Sequence, residues 1–515
     1  MRIWEPWETA WPAGAALVVL LVAAALGRRH LRPRQPAVAF GLFSLALLVR
    51  LLVVPALTQH AYDGHEAEFY DIFRGERSVN RGGTVLYPAM QWLWWGLGRI
   101  LPHHPRVPVG VMSVVGAACA PVVAGAVARL ARDGRDPALA GRVGLLAGVV
   151  VALHPVHAAW SSSAYNVALP ALFGAVVLWS GAVVARSRRP PLTVALMGAA
   201  AWALVVATRL DAAPIGLTAA LLALGLAAPG DTARAALRRR TPLLAPLAVG
   251  LVLGGFALFP LVFPGEVPGA GERALSFAIH WPMLTPYLPT TGGAVFLTAA
   301  ALLAIPAARR WPAPTTLLVT GLVAHHLLMA TFDDLGDRHL LPSLPALAWL
   351  VAAGAGALSP ARRWVAAAAA APALAALALG LLDVRERYYA SEEAFADHLD
   401  AAWPDLPRVG LAEARDRCGW INEDPRAAAK PVASHFNVLD PVEAAALRSP
   451  EGCLRWCADL QDWRWSSRGV ADRARRMGRL YDLRPLAVVT DPASGYACLA
   501  WEVGARRCCD DAGPP

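Results

Sequence analysis

Between Trp11 and Leu382 the chain passes through one continuous apolar run after another, each near the ~20 residues that an α-helix needs to cross the hydrocarbon core of a bilayer. About twelve such runs can be counted on that length criterion. They are rich in Ala, Leu and Val and do not alternate every second residue, so they are expected to be helices and not the strands of a barrel. Composition points the same way: 56% of the 515 residues are hydrophobic and 17% charged, with a mean hydropathy of +0.43. That is far too apolar for a soluble chain of this length. The expected class is an all-α polytopic membrane protein. The opening "MRIWEPWETAW" has no basic n-region, and no small-residue cleavage site follows the first apolar run, so Trp11 to Leu26 is expected to stay as a helix.

The basic residues orient these helices. A formal charge of +9 does not indicate a nucleic-acid partner here, because the arginines lie in short clusters between apolar runs and not along one face. The clusters at 27–34, 129–142, 186–189, 234–240, 308–310 and 361–363 follow alternate helices, which places them in the cytoplasm by the positive-inside rule. The outward segments are then 58–106, the turns near 154–163 and 209–211, 264–291, 332–339 and everything beyond 382, with a short N-terminus also outside. The residues with chemistry to offer, which played no part in that assignment, all fall on the outer side.

The chain divides by composition into a transmembrane part, 1–382, and a tail, 383–515. The tail has more charge, short apolar runs and turn signals, and is expected to be a small extracytoplasmic α/β domain. "PLAVVT" and "YACLAWEV" predict two strands in it, and "ADRARRMGRLY" (471–481) predicts a helix. Cys418, Cys453, Cys457, Cys498, Cys508 and Cys509 all lie in the tail, and an even number of cysteines in an outward domain points to disulfides whose connectivity stays open. Cys119, within an apolar helix, reads as packing.

The densest chemistry is "HAYDGHEAEFYDIFRGE", His60 to Glu76, which carries seven acidic or imidazole groups directly after an apolar helix. One reading is a solvated connector. Against it, "EAEFYDIF" has apolar or aromatic residues at 67, 69, 70, 72 and 73, the pattern of an interfacial helix, and Tyr87, Trp92, Trp94 and Trp95 follow as anchors suited to the headgroup level. A second reading is a divalent metal site, for which Asp63, His65, Glu66 and Glu68 supply oxygen and nitrogen ligands, although "HEAEF" lacks the spacing of a zinc-protease motif. A third is a general base. Arg50 raises a separate question: it sits inside the apolar run Val38 to Leu57, where a charge costs ~2.5–3.5 kcal/mol on insertion scales, so it needs a partner such as a helix carbonyl or a lipid phosphate.

Five stretches together resemble the GT-C membrane glycosyltransferases, in particular the protein O-mannosyltransferase and aminoarabinose-transferase branch. They are the outward loop with Asp63 and "HEAEFY"; "LYPAMQWLWWGLGRIL"; "ALHPVHAAWSSSAY"; "ATRLDAAPIGL"; and "DRHLLPSLPALAWL", in an order that spans residues 38 to about 358. The chain has His65-Glu66 where the family shows an Asp-Glu pair. The leading helix and the cysteine-bearing tail lie outside the resemblance.

The resemblance implies a polyprenyl-phosphate-linked sugar as donor, an acceptor outside the cytoplasm (protein, lipid or glycan), and an inverting hexosyl or pentosyl transfer. No nucleotide pocket is needed for such a donor, and neither a phosphate-binding P-loop nor a dinucleotide fingerprint is present in the sequence. No organic cofactor is expected; the divalent ion at His65 and Glu66 stays open. Asp63 is the expected base, with Glu66 as alternate. Arg338, then Arg209, His339 and Arg50, are the candidates for the leaving phosphate, since the guanidinium fork matches phosphate oxygens. The plainer readings are a helix-start anchor for Arg338 and a salt bridge to Asp211 for Arg209. His154 and His157 are expected to hydrogen-bond at a helix junction. The rival classes are a transporter or lipid flippase, and a catalytically silent relative that serves as a binding module. The plasma (inner) membrane is the expected location, with the site and the tail facing outward.

Overall fold

The structure is a computed structural model that describes residues 6–31, 35–53, 69, 72–76, 88–104, 106–132, 136–161, 168–187, 191–208, 214–225, 243, 245–252, 291–329, 341–358, 363–387, 399–410, 419–420, 454–459, 481–491 and 496–506. It is mostly helical, with one small sheet. The chain separates into two compact units, residues 1–331 with 338–382, and residues 332–337 with 383–515.

The first unit is built from α1 (Pro6–Leu26), the single turn α2 (Arg28–Leu31), α3 (Pro36–Val53), α4 (Pro88–Gly98), α5 (Arg106–Leu130), α6 (Pro137–Leu153), α7 (Pro155–Trp160), α8 (Ala168–Arg186), α9 (Leu192–Thr208), α10 (Pro214–Gly225), α11 (Thr291–Arg310), α12 (Pro312–Met329), α13 (Leu344–Ala357) and α14 (Arg363–Arg387). Proline recurs at helix starts, where its fixed φ suits the first turn and its missing N–H costs nothing. At α6, Pro137 sits at that position and the Asp136 carboxylate accepts from the Leu139 N–H at 2.8 Å, so the cap satisfies a donor that the helix leaves open. Helix α5 lies at the centre and packs against α3, α6 and α8. The α5–α6 approach depends on small residues: a Cβ at Gly144 would stand 2.6 Å from the Ala124 carbonyl oxygen, so only glycine lets the two backbones meet there.

Two described helical stretches are both long and apolar enough to cross a bilayer, Val107–Leu130 and Ala168–Arg186. Six shorter apolar stretches accompany them, among them Pro36–Leu52, Pro137–Leu153, Leu192–Thr208 and Leu341–Ala357. At 1.5 Å per residue a 17-residue helix reaches about 25 Å, a few ångströms short of a ~30 Å hydrocarbon core. Proline at the ends of these runs, as at Pro137, Pro155 and Pro345, shortens helices that the apolar composition alone would extend.

The second unit contains a five-stranded mixed sheet in the order β1-β4-β5-β3-β2, formed by β1 (Arg408–Gly410), β2 (Gly419–Trp420), β3 (Leu454–Asp459), β4 (Tyr481–Asp491) and β5 (Tyr496–Arg506). Its spine is the β4–β5 antiparallel hairpin, which contains both strands expected from sequence. Parallel pairs β1–β4 and β2–β3 extend it on either side. Tyr481, expected as the end of a helix, instead opens β4, where it pairs with Arg506; residues 471–480 lie outside the described residues. The alternation Tyr481, Leu483, Pro485 favours the strand over the helix. In the β3–β5 register Cys457 stands opposite Ala500 and Cys498 opposite Asp459, so these two cysteines are not direct cross-strand partners.

Candidate functional site

Of the residues singled out from sequence, Asp63, His65, Glu66, Glu68, Arg209, Arg338, His339, Cys418, Cys453, Cys508 and Cys509 lie outside the described residues. The structure describes Arg50, the residues that flank the acidic loop, and the helix junction around His154, His157 and Ser161.

Arg50, in the last turn of α3, is fully buried. Its Nη1 donates to the Ala46 carbonyl at 2.7 Å, its Nε donates to Ser161 Oγ at 2.9 Å, and its Nη2 lies 2.8 Å from His157 Nδ1. The carbonyl expected as a partner for a charge in an apolar run is therefore that of Ala46, one helical turn back. A guanidinium has no acceptor atom, so His157 Nδ1 must accept, which fixes the ring as the neutral tautomer with its proton on Nε2. Burial of such a cation is tolerable only when its donors are met in this way.

The receiving groups are arranged by α7. His154 is its N-cap and accepts the His157 N–H at Nδ1, 3.2 Å away; Pro155 takes the first helical position; Ser161 ends the helix. The Ser161 hydroxyl donates to the His157 carbonyl, which leaves its oxygen lone pairs toward Arg50. On α5, a Cβ at Gly116 would overlap Ser161 Oγ and come within 2.9 Å of Arg50 Nε, so glycine makes the space that the cluster occupies. Helices α3, α5 and α7 thus share one polar knot, and His154 Nε2, also buried, makes no hydrogen bond there among the described residues.

His154 and His157 lie in the connection between the apolar helices α6 and α8. Burial pushes the His154 imidazole down to about 3, and burial, helped by the Arg50 charge and by His154, holds His157 well below the ordinary histidine range. An unfolded histidine titrates near ~6.5, so below that pH the unfolded chain takes up protons that the fold excludes. The stability these groups contribute is complete above ~6.5 and declines as pH falls toward 3. A lower unfolding midpoint at pH 5 than at pH 7.5 is therefore expected, with a smaller difference in His154→Asn, which keeps the N-cap acceptor but does not titrate. Equal pH dependence in both proteins would show that His154 is not the group responsible.

The C-terminal flank of the acidic loop is packed inward. Phe69, Ile72 and Phe73 are each about 1% exposed and join Met90, Trp94, Met112 and Ala168 in one core cluster. These apolar residues, expected to lie along a membrane interface, instead bury against α4 and α5. Trp94 likewise is no interfacial anchor: it is fully buried, edge-on to Phe73 at 6.0 Å, because it shares the inward α4 face with Met90. Its neighbour Trp95 remains 38% exposed, with Arg99 stacked 5.0 Å above it. Gly75, at φ +78°, closes the Ile72–Arg74 turn, a conformation that costs glycine little. A Cβ at Gly98 would overlap the Phe73 carbonyl. Gly98→Ala should therefore push the loop flank off α4, at a cost of about 1–3 kcal/mol, seen as a lower thermal midpoint; an unchanged midpoint would mean that the flank does not rest on α4.

Three of the five sequence stretches meet beside the Arg50 knot. A cavity of about 20 Å³ is bordered by His157, by Ile215 of "ATRLDAAPIGL", and by Leu341, Pro342 and Pro345 of "DRHLLPSLPALAWL". It has room for about one water. Cys119 also borders it as a buried free thiol. The other two stretches meet in the cluster of Phe69, Met90 and Trp94. Sequence reasoning identified Arg50 and the histidines but not Ser161 as a ligand, nor Gly116 and Gly98 as the positions that make room. Glycines in an apolar helix carry no signal of which one faces a polar neighbour. Among the described residues there is no cluster of three or more His, Cys, Asp or Glu that could hold a metal ion. No protein-family model and no curated protein matches the chain.

Proposed function

We propose that this protein is a polytopic plasma-membrane glycosyltransferase of GT-C-like architecture, with about twelve membrane segments by the length criterion, that moves a sugar from a polyprenyl phosphate to an acceptor outside the cytoplasm. The observation that carries the reading is the convergence of the "HPVHAAWSSS", "ATRLDAAPIGL" and "DRHLLPSLPALAWL" stretches on one small cavity next to a buried arginine, although 184 residues separate His157 from Leu341 in sequence. Membrane embedding is supported by large apolar side chains left on the outer faces of the helices, among them Leu26, Phe40, Leu52, Leu302 and Leu379, each more than 60% exposed. Water would penalise such a surface, and lipid would not.

In the proposed reaction the acceptor hydroxyl loses its proton to the Asp63 carboxylate as its oxygen bonds to the anomeric carbon. The bond from that carbon to the phosphate oxygen breaks on the opposite face, and the electron pair leaves with the polyprenyl phosphate. One displacement gives inversion. Arg338 and Arg209 stabilise the phosphate charge, with His339 as a further donor and Glu66 orienting Asp63. Arg50 acts through its neighbours: its knot lies three residues before the described end of α3 and holds that last turn against α7. The positive-inside pattern assigns the tail from 383 to the extracytoplasmic compartment.

The test is transfer of labelled sugar from a panel of polyprenyl-phosphate sugars to membrane extracts by the purified protein, with and without chelator. Transfer from one donor supports the reading, and its loss on chelation would show that a divalent ion takes part. Absence of transfer from every donor, by protein shown to be folded, would favour a transporter or a silent binding module.

A further inference from the structure

A cavity of about 520 Å³ opens between α3, α5 and α6, at the ends of these helices opposite the Arg50 knot, with Trp179 of α8 in its wall. Its size falls within the ~300–1,000 Å³ of small-molecule sites. The wall is sorted by chemistry along its length. Leu42, Pro121, Ala124 and Leu145 supply apolar surface, whereas Arg129 and Arg132 at the end of α5 and Gln35 before α3 supply the polar groups. From Pro121 to Arg129 the apolar stretch covers about 12 Å of helix at 1.5 Å per residue. Arg129 is built into this wall: its Nη1 donates to the Gly125 carbonyl at 3.0 Å and its guanidinium lies 5.1 Å from the Trp179 ring centre.

An apolar slot with cations at one end is complementary to an amphiphile with an anionic head. A second cavity, of about 500 Å³ between α8, α9 and α10, has apolar walls and no charged residue, so nothing in it would select a head group. We propose that the Arg129–Arg132 cavity binds an anionic phospholipid of the cytoplasmic leaflet, with the phosphate at the two arginines and an acyl chain between α3, α5 and α6. This rests on the membrane reading above, in which the 129–142 cluster faces the cytoplasm, and it is independent of sugar transfer.

Gly141 of α6 offers a clean test, because it lines the cavity and a Cβ there meets nothing within 4 Å. A larger side chain fills the slot without striking backbone, and removing glycine from a helix interior does not weaken the helix. The experiment is native mass spectrometry of the full-length, delipidated protein with phosphatidylglycerol, phosphatidylcholine or inorganic phosphate added back, beside carbonate extraction of the membranes. Phosphatidylglycerol should bind in preference to phosphatidylcholine, and inorganic phosphate should not bind detectably. Arg129→Gln and Arg132→Gln should each cut that preference about fivefold. Gly141→Phe should abolish the adduct at an unchanged thermal midpoint, with Gly141→Leu as the smaller filler if the phenylalanine protein unfolds. Equal binding of the two lipids, or an adduct that survives Gly141→Phe and Gly141→Leu, would overturn the proposal while the membrane reading stands. Release of the protein by carbonate would overturn both.

Discussion

Asp63→Asn should abolish sugar transfer while the yield of folded protein stays the same. A positioned general base contributes about 10²- to 10⁴-fold, and asparagine matches aspartate in shape but cannot take the acceptor proton. Asp63 stands ten residues beyond Val53, the last described residue of α3. Glu66→Gln should cost less, since its proposed role is to orient Asp63. Single-turnover transfer with saturating donor would rank the two, because both losses fall on the chemical rate and differ only in size. Full activity in Asp63→Asn with none in Glu66→Gln would move the base to Glu66. Full activity in both would remove the acidic loop from the mechanism.

How far the sequence reached depended on the kind of signal. Long apolar runs specify helices at any position along them, so the helical class and the approximate places of α3, α5, α6, α8 and α9 could be read directly. Helix ends were less legible, because they depend on single residues such as Asp136, Pro155 and His154 that apolar composition hides. Strand signals in the tail behaved similarly: the Val- and Ala-rich cores of β4 and β5 stood out, whereas β1 and β2 have three and two residues and owe their pairing to neighbours far along the chain. At the site, Arg50 was conspicuous as a charge inside an apolar run, and its need for partners followed from desolvation alone. Which partners it would find did not follow, because His157 and Ser161 lie 107 and 111 residues away. Trp94 and Trp95 show the same limit from another side. Adjacent residues of one type point to different faces of α4, and only packing against Phe73 decides which is buried.

The second large effect is expected at the Arg50 knot, and its direction follows from an asymmetry in burying charge. His157→Leu leaves a fully buried guanidinium one acceptor short, which should cost about 3 kcal/mol or more. Arg50→Met removes the charge together with its demand for acceptors and fills similar volume, so it should cost less than His157→Leu even though it deletes the residue at the centre. The double variant should then be more stable than the sum of the two losses predicts, since His157→Leu no longer strands a charge once Arg50 is gone. Thermal midpoints of the four proteins in one detergent give this cycle, and strictly additive losses would mean that the 2.8 Å contact carries no energy. The same proteins address function. If the knot positions the start of the acidic loop, His157→Leu at a temperature where it remains folded should lower kcat more than it raises KM, because the base is misplaced while the donor still binds. A purely structural knot would leave both constants near wild type below the unfolding transition, and the loop's geometry would then have to be fixed by the Phe73–Gly98 contact instead.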